Sequence, residues 1–459
     1  MLHQVIDTIH RTIWGLPMLL FVLAVSILLT IALRGLQIRK LIYALKIAFF
    51  GYDSKLEHSS EGDIGHFQSL MTSLAAIIGI GNIVGVATAI SSGGLGALFW
   101  MWITALFGMA ATYGESLLAI KFRCKDKRGE MSGGPMYYIE KGLKMKWLAV
   151  MFAVGGCLAT ITTGNMIQAN SITDALSHSY GINVFGASIV ISILVGIMII
   201  KGIKVIGVIT GILVPIMALF YILGGSVIIL LNYTSVPGAL STIFTSAFTG
   251  QAAAGGFLGS TMIMALRFGV TRGILVCEAG MGTTSIAAAA ARTDTPGRQA
   301  LISMTGSFLS TFIICTITGL VLAVTGVIGE VGANGKLLSG VALAIEAFNR
   351  SLPMGGLFVN IGAVLFGLST IISWAYYGEK CFEYLFSEKI IIVFRIIFAL
   401  TIILGCNLEL EIVWSLSDIA TSIMVLPNLI GLVGLLPVII KETNKFLKII
   451  DEERLAKKK

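Results

Sequence analysis

The sequence predicts an all-α polytopic membrane protein with about eleven transmembrane helices. It arranges them as one extra N-terminal helix and two inverted five-helix repeats, with a broken first helix in each. Of the 459 residues, 56% are hydrophobic and only 12% are charged, whereas soluble domains contain about 25% charged residues. Apolar runs such as Val205–Leu231 recur, and about 20 helical residues cross a hydrocarbon core of roughly 30 Å. No ten-residue segments of alternating polarity recur, which argues against a β-barrel.

The predicted spans follow one another along the whole chain. Their bounds are 14–33, 67–90, 95–120, 147–170, 184–200, 205–231, 268–291, 299–328, 354–379, 390–405 and 411–440. The extra N-terminal helix occupies residues 1–34, the first repeat 67–231, the second repeat 268–440 and a basic tail 441–459. The first apolar run ends at Arg34 without the small-residue cleavage pattern of a signal peptide, so we expect it to be retained as a helix.

The positive residues indicate the orientation in the membrane. When the loops are assigned alternately to the two sides, most of the 32 Lys and Arg residues fall on one side. The positive-inside rule makes this side the cytoplasm, with the N-terminus outside and the C-terminus inside a cell inner (plasma) membrane. The same asymmetry explains the net charge of +8 without a nucleic-acid partner. The lipid bilayer is the expected surrounding, and no oligomer is implied.

Two of the predicted spans are interrupted by clustered glycines. One contains Gly79, Gly81 and Gly85, and the other contains Gly280 and Gly282. Each glycine weakens a helix by about 1 kcal/mol relative to alanine, although small residues also permit close helix packing. Each interrupted span opens one five-helix half, and the halves start on opposite sides of the membrane. Interrupted helices at matching positions of inverted halves indicate the binding site of a secondary transporter.

Six motifs in this order resemble the alanine or glycine:cation symporter family, which is related in fold to the leucine-transporter type. They are GIGNIVGVATAI at 79–90, GGLGALFWMW at 93–102, EMSGGPMYYI at 130–139, RFGVTRG at 267–273, EAGMGT at 278–283 and WAYYGE at 374–379. The chain departs from the family pattern near the second interruption. Val276 and Cys277 stand where the family usually has Ser and Asn, and Ala287–Ala291 stand where it usually has a His.

The two interruptions are the predicted contacts for an amino acid's charges. Backbone N–H groups of Gly79 and Gly81, in the break that ends at Asn82, would bind the carboxylate, because a half-helix N-terminus favours an anion. Backbone carbonyls from Leu275 to Cys277 would then accept the ammonium hydrogens.

The resemblance implies two further pocket residues. Gln168 lies in the helix that lines the site in leucine-transporter-type folds, although a simple interhelical hydrogen bond, worth about 0.6 kcal/mol, is the alternative. Trp374, together with Leu275, is expected to form a wall that limits the size of the substrate side chain; for Trp374, plain packing is the alternative.

Sodium is the expected coupling ion, because hydroxyl and carbonyl oxygens are the ligands that hard cations prefer. By the resemblance, the hydroxyls of Ser369 and Thr370 would bind it together with backbone carbonyls near Ala75, Ala76 and Gly79. The alternative for these hydroxyls is a hydrogen bond within their own helix.

The sequence therefore predicts a secondary active transporter, not an enzyme. It would import a small neutral amino acid (alanine or glycine, L or D) by symport with sodium and alternating access. A symporter of another solute such as glutamine, or one coupled to a different cation or to protons through Glu115 or Glu278, is the alternative. A channel would show a repeated filter or a charged ring, and neither is evident.

Overall fold

The computed structural model describes residues 15–51, 60–200, 202–249, 262–332, 335 and 337–456. The first 14 residues of the predicted N-terminal segment and the last three of the predicted tail lie outside this part of the chain. The described residues are almost entirely helical. Two short antiparallel strands, β1 (Cys124–Lys125) and β2 (Met131–Ser132), pair Cys124 with Ser132.

The α-helices are numbered in chain order. In the first half they are α1 (Leu16–Ala32), α2 (Leu36–Arg39), α3 (Leu41–Phe50), α4 (His66–Ile77), α5 (Val84–Gly93), α6 (Gly96–Lys121), α7 (Pro135–Tyr138), α8 (Lys146–Ile161), α9 (Ile167–Tyr180), α10 (Val184–Ile199), α11 (Gly202–Leu231) and α12 (Val236–Thr249). In the second half they are α13 (Met262–Cys277), α14 (Thr283–Ala289), α15 (Pro296–Phe308), α16 (Thr316–Thr325), α17 (Gly340–Ser351), α18 (Gly355–Leu385), α19 (Ile391–Cys406), α20 (Leu410–Gly434) and α21 (Leu436–Ala456).

Within the described residues, seven helices are long and apolar enough to cross a membrane. They are Gly96–Lys121, Lys146–Tyr180, Gly202–Leu231, Pro296–Thr325, Gly355–Leu385, Glu388–Cys406 and Glu411–Gly434. A pair of helical segments bent by 58°, His66–Ile77 and Ile80–Gly93, makes an eighth candidate span. The remaining predicted spans coincide with the shorter helices α1 and α10 and with the pair α13 and α14. The prediction of a polytopic helical protein is confirmed, whereas the count of eleven stays a prediction.

Two long helices contain a π-helical turn, at Thr162–Met166 between α8 and α9 and at Leu309–Cys315 between α15 and α16. Such turns locally widen a helix and are frequent at functional sites. The first turn presents Thr163 toward α20, and the second places Ser310 beside both helix breaks. These turns therefore position polar groups at the centre of the bundle.

The two breaks arise from different physical causes. At the first, Gly79 has an extended backbone that any residue could adopt, but a Cβ there would lie 2.5 Å from Thr370 Oγ1. At the second, Glu278, Gly280 and Gly282 have φ of 50°, 80° and 79°. This left-handed region costs an L-residue with a Cβ about 1–2 kcal/mol. The first break thus requires glycine for space, and the second requires it for backbone conformation.

The predicted span 411–440 and tail 441–459 divide differently in the structure. The helix α20 ends at Gly434, and α21 begins after Leu435. Ile439, Thr443, Phe446 and Ile450 of α21 are buried, and their spacing of four, three and four residues lies on one helix face. The segment is therefore an amphipathic helix packed on the bundle. In the described part of the chain, three helices of ten or more residues also lie outside the predicted spans and tail, namely α3, α12 and α17.

Candidate functional site

A small cavity lies between the two helix breaks. Its lining is formed by Ala76, Ile77, Gly79, Gly81, Thr163, Ile167, Gln168, Leu275, Val276, Glu278, Trp374 and Trp414. Of the predicted substrate residues, the structure brings Gly79, Gly81, Gln168, Leu275 and Trp374 to this cavity. Asn82 and Cys277 are not among the residues that line it.

The first break contacts Gln168 directly. The backbone N–H of Ile80 donates to Gln168 Oε1 at 3.1 Å, and Gln168 Nε2 donates to the Thr163 carbonyl at 3.1 Å. A Cβ on Gly79 would lie 3.2 Å from Gln168 Oε1. The amide of Gln168 therefore joins the first break to the π-helical turn before α9, and both belong to the wall of the cavity.

Asn82 holds the shape of the first break from behind. Its side chain is fully buried, its Oδ1 accepts from the Gly79 N–H at 3.0 Å, and its Nδ2 donates to Ser310 Oγ at 2.7 Å. Its backbone carbonyl accepts from Thr318 Oγ1 at 2.8 Å. These bonds satisfy groups that a broken helix would otherwise leave unpaired. Asn82 thus positions Gly79 without facing the cavity.

The second break presents backbone carbonyls that serines already contact. Ser310 Oγ donates to the Val276 carbonyl at 3.1 Å, and Ser307 Oγ donates to the Cys277 carbonyl at 3.0 Å. A carbonyl oxygen has two lone pairs and can accept a second hydrogen bond. The Cys277 side chain instead packs in a buried cluster with Ala105 and Ala279.

Two tryptophans form the bulky walls. Trp374 is only 2% exposed, and a Cβ on Gly164 would lie 2.3 Å from its Cβ, so α18 fits closely against the π-helical turn. The Arg272 guanidinium lies 4.1 Å from the centroid of the Trp414 ring and 3.5 Å from Asp418 Oδ1. This stacking and ion pair connect α13 to α20 beside the cavity.

Of the two predicted hydroxyl ligands of sodium, Thr370 contacts the helix before the first break, whereas Ser369 bonds within its own helix. Thr370 Oγ1 donates to the Ala75 carbonyl at 2.9 Å, which joins α18 to the last turn of α4. Ser369 Oγ donates to the Phe366 carbonyl of its own helix at 2.9 Å. Both hydroxyls are buried, and each keeps lone pairs for a cation. Across the described chain, no group of three His, Cys, Asp or Glu could hold a metal ion.

Sequence reasoning missed Ile77, Thr163, Ile167 and Trp414 as lining residues. Thr163 and Ile167 lie five and one positions before Gln168, and the π-helical turn directs them inward together. Val276 lies within the predicted range Leu275 to Cys277, whereas Ile77 lies two residues before Gly79, so its place beside the first break was the available signal. Trp414 belongs to α20, where no sequence pattern marked it.

The two buried acids near the second break, Glu278 and Glu115, have protein partners. Glu278 Oε2 accepts from Thr283 at 2.7 Å and from Thr284 at 3.2 Å. Glu115 Oε1 accepts from Asn428 Nδ2 at 2.6 Å, and the same amide group donates to the Gly280 carbonyl at 2.9 Å. Glu278 lines the cavity, whereas Glu115 connects the second break to α20 through Asn428.

Comparison with known proteins supports the resemblance predicted from the motifs. A family model described as the sodium:alanine symporter family matches residues 1–459. The sodium/alanine symporter AgcS of Methanococcus maripaludis is 48% identical over 454 residues, covering 98% of each chain. The probable sodium/glutamine symporter GlnT of Bacillus subtilis is 35% identical over 435 residues, covering 94% of this chain and 88% of the relative.

A solved structure shares the fold at low sequence identity. The crystal structure of MhsT in complex with L-phenylalanine matches with a TM-score of 0.57 and 17% identity, covering 81% of this chain and 89% of the other. The motifs, the two helix breaks around one cavity and the whole-chain match agree. The chain belongs to the sodium:alanine symporter family and is a multi-pass, sodium-coupled amino-acid symporter.

Proposed function

We propose that this protein imports a small neutral amino acid, alanine or glycine, together with sodium by alternating access. One observation supports the coupling. The first break faces the cavity through Gly79 and Gly81, while the adjacent Ala75 carbonyl contacts the Thr370 hydroxyl. The same short segment thus forms part of both the substrate site and the ion site.

The substrate carboxylate is assigned to the first break. The Gly79 N–H already donates to Asn82 and the Ile80 N–H to Gln168, so Gly81 and the Gln168 amide group are the adjustable contacts. Rotation of the Gln168 amide would release the Ile80 N–H and turn its own NH₂ group toward the carboxylate. Asn82 keeps a supporting role, because its side chain holds Gly79 in place.

The ammonium is assigned to the second break. Carbonyls between Leu275 and Cys277 would accept its hydrogens, since a buried charge without partners is very costly. Val276 lies opposite Gly81, with its Cγ2 3.3 Å from the position that a Cβ of Gly81 would take. Together with Trp374, it leaves room for only a small substrate side chain, which favours alanine and glycine over glutamine.

Sodium is assigned to the hydroxyls of Ser369 and Thr370 and to the carbonyls of Ala75, Ala76 and Gly79. These oxygens come from α18, from the end of α4 and from the first break. An ion that draws them together stabilises the first break in the shape that faces the cavity. Sodium binding would therefore strengthen amino-acid binding, as symport requires.

The membrane arrangement is proposed as eleven spans, one extra N-terminal helix and two inverted five-helix repeats at 67–231 and 268–440. The N-terminus lies outside, and the C-terminus lies on the cytoplasmic side of the inner membrane. The positions of the breaks, one opening each repeat, support this arrangement. The distribution of Lys and Arg supports its direction.

Uptake by purified protein in liposomes tests the function. Labelled L-alanine, D-alanine, glycine and L-glutamine are supplied with an inward sodium gradient, an inward proton gradient or no gradient. We expect alanine or glycine to accumulate only with sodium. Accumulation driven by protons without sodium would contradict the coupling, and preferential uptake of glutamine would contradict the proposed substrate class.

A further inference from the structure

The helix α21 has one face buried in the protein and another left open. It begins two residues after the span α20 ends, so its first turn starts where the chain leaves the span. On the buried face, Thr443 Oγ1 accepts from the Tyr113 hydroxyl at 3.1 Å, and Phe446 packs so closely that a Cβ on Gly297 would lie 2.4 Å from its ring. The helix is thus fixed to the bundle, and its outer face remains available.

The outer face forms a surface groove of mixed character. All its lining residues belong to α21. The end next to the span is apolar, from Leu436, Pro437 and Ile440, and the part beyond it is polar, from Lys441, Asn444, Lys445 and Lys448. The spacing of four and three residues places all three lysines on one side of the helix, and all three are exposed.

The charge of the groove is only partly neutralised. Lys445 Nζ lies 3.1 Å from Glu442 Oε1, but Lys121 also pairs with that carboxylate at 3.2 Å. Neither Lys441 nor Lys448 makes an ion pair with any other residue that the structure describes. The groove therefore has apolar side chains where α21 begins, next to the end of α20, and three positively charged side chains further along the helix.

We propose that this groove binds the headgroup of an anionic phospholipid from the adjoining leaflet. The apolar residues Leu436, Pro437 and Ile440 would contact the first segments of the acyl chains, and the ammonium groups of the three lysines on one side of the helix would bind the phosphate. Basic residues at the membrane surface each strengthen binding to anionic lipid roughly fivefold. A zwitterionic phospholipid has no net charge to match the lysines.

Lipid binding to the full-length protein tests the proposal. Purified protein is equilibrated in detergent with equal amounts of phosphatidylglycerol and phosphatidylcholine, and bound lipid is counted by native mass spectrometry. We expect retention of at least one phosphatidylglycerol, and at least a tenfold weaker affinity in the variant Lys441→Gln/Lys445→Gln/Lys448→Gln. Equal retention of the two lipids, or unchanged phosphatidylglycerol binding in the variant, would overturn the proposal.

A matched variant separates the groove from general surface charge. Lys127, Lys144 and Lys146 are also exposed, and changing all three to Gln removes the same charge elsewhere. This control should bind phosphatidylglycerol as the unaltered protein does, and a loss as large as that in the groove variant would overturn the assignment. Inorganic phosphate at millimolar concentration should not displace the lipid, and full displacement would identify the groove as a site for free phosphate instead.

Discussion

At the residue scale, Gly79 lies between the proposed sodium ligand Thr370 and the cavity residue Gln168. A Cβ at this position would lie 2.5 Å from Thr370 Oγ1, closer than real Cβ contacts allow, and 3.2 Å from Gln168 Oε1. Gly81, two residues later, would place its Cβ 3.3 Å from Val276 Cγ2. The two glycines therefore differ in what a methyl group would displace, although both line the cavity.

Gly79→Ala should impair the use of sodium much more than Gly81→Ala. The added methyl group at Gly79 must push the Thr370 hydroxyl away from the Ala75 carbonyl, which separates two proposed sodium ligands. At Gly81 a shift of a few tenths of an ångström in Val276 suffices. Uptake measured against sodium concentration should show at least a tenfold higher half-saturating sodium for Gly79→Ala. Equal sodium dependence in the two variants would rule out this role for Gly79.

Sequence reasoning predicted those site residues that a local motif marks. Gly79, Gly81 and Trp374 lie in motifs, and Gln168 follows from its helix. Trp414 and Thr163 could not be found this way, because their approach to the cavity depends on how α20 packs against the π-helical turn. The pattern also could not show that Asn82 faces Ser310 instead of the cavity, since that depends on the direction of one side chain.

At the element scale, the second break depends on backbone conformation and close packing. Gly282 has φ of 79°, and a Cβ there would lie 2.4 Å from Pro135 Cγ of α7. Gly326, at the end of α16, has a similar φ of 67°, but its Cβ would meet nothing within 4 Å. Comparing Gly282 with Gly326 therefore separates the need for a positive φ, which both share, from the need for close packing, which only Gly282 has.

Gly282→Ala should therefore destabilise the protein more than Gly326→Ala. The Gly326 variant loses only the backbone preference, about 1–2 kcal/mol. The Gly282 variant loses this and must also displace Pro135 or the break itself. Thermal unfolding of the two purified variants in the same detergent checks the order, and equal midpoints would show that contact with α7 adds nothing.

A second element-scale feature is an ion cluster that ties the β1–β2 hairpin to the end of α18. Lys380 Nζ is fully buried and lies 3.1 Å from Asp126 Oδ2, 3.2 Å from Glu383 Oε2 and 2.9 Å from Ser132 Oγ. Burial raises the pKa of the Asp126 carboxyl, but the positive charges of Lys380 and Arg128, together with hydrogen bonds from Lys380 and the Glu130 N–H, outweigh it, and the pKa lies below its usual value.

Lys380→Met should destabilise the protein by about 3 kcal/mol, because it leaves buried carboxylates with less compensating charge. Since the folded pKa of Asp126 is depressed, its contribution exists above the unfolded pKa of about 3.9 and is lost as pH falls through the folded value. The stability gap between unaltered protein and variant should thus narrow in acid. Lys389→Met, at an exposed position, is the control, and a gap that does not depend on pH would contradict this account.

At the scale of the whole molecule, hydropathy predicted the long spans well because burial in lipid requires continuous apolar runs. Hydropathy did not identify α12 and α17, which lie between the predicted spans and are too short or too amphipathic to give a long apolar run. It also extended α20 into α21, since the apolar residues of α21 continue the run after Gly434. Whether such a helix continues through the membrane or packs on the bundle depends on tertiary contacts, which the average hydropathy of a segment does not show.

The proposed orientation can be measured by labelling. In a background without the six native cysteines, Lys125→Cys and Lys144→Cys should react with an impermeant reagent only from the cytoplasmic side. Tyr233→Cys, between α11 and α12, should react only from outside; the native side chains at all three positions are exposed. Labelling of Lys125→Cys and Tyr233→Cys from the same side would contradict the odd number of spans between them.

If the first break couples sodium to the amino acid, each ligand must strengthen the binding of the other, and both effects can be measured on the same purified protein. The alanine dissociation constant of purified protein is measured at low and saturating sodium, and the sodium half-saturation with and without alanine. The account predicts that each ligand strengthens the other by the same factor. It also predicts that Thr370→Val, but not Thr370→Ser, reduces this factor. Alanine affinity that does not change with sodium would contradict the account.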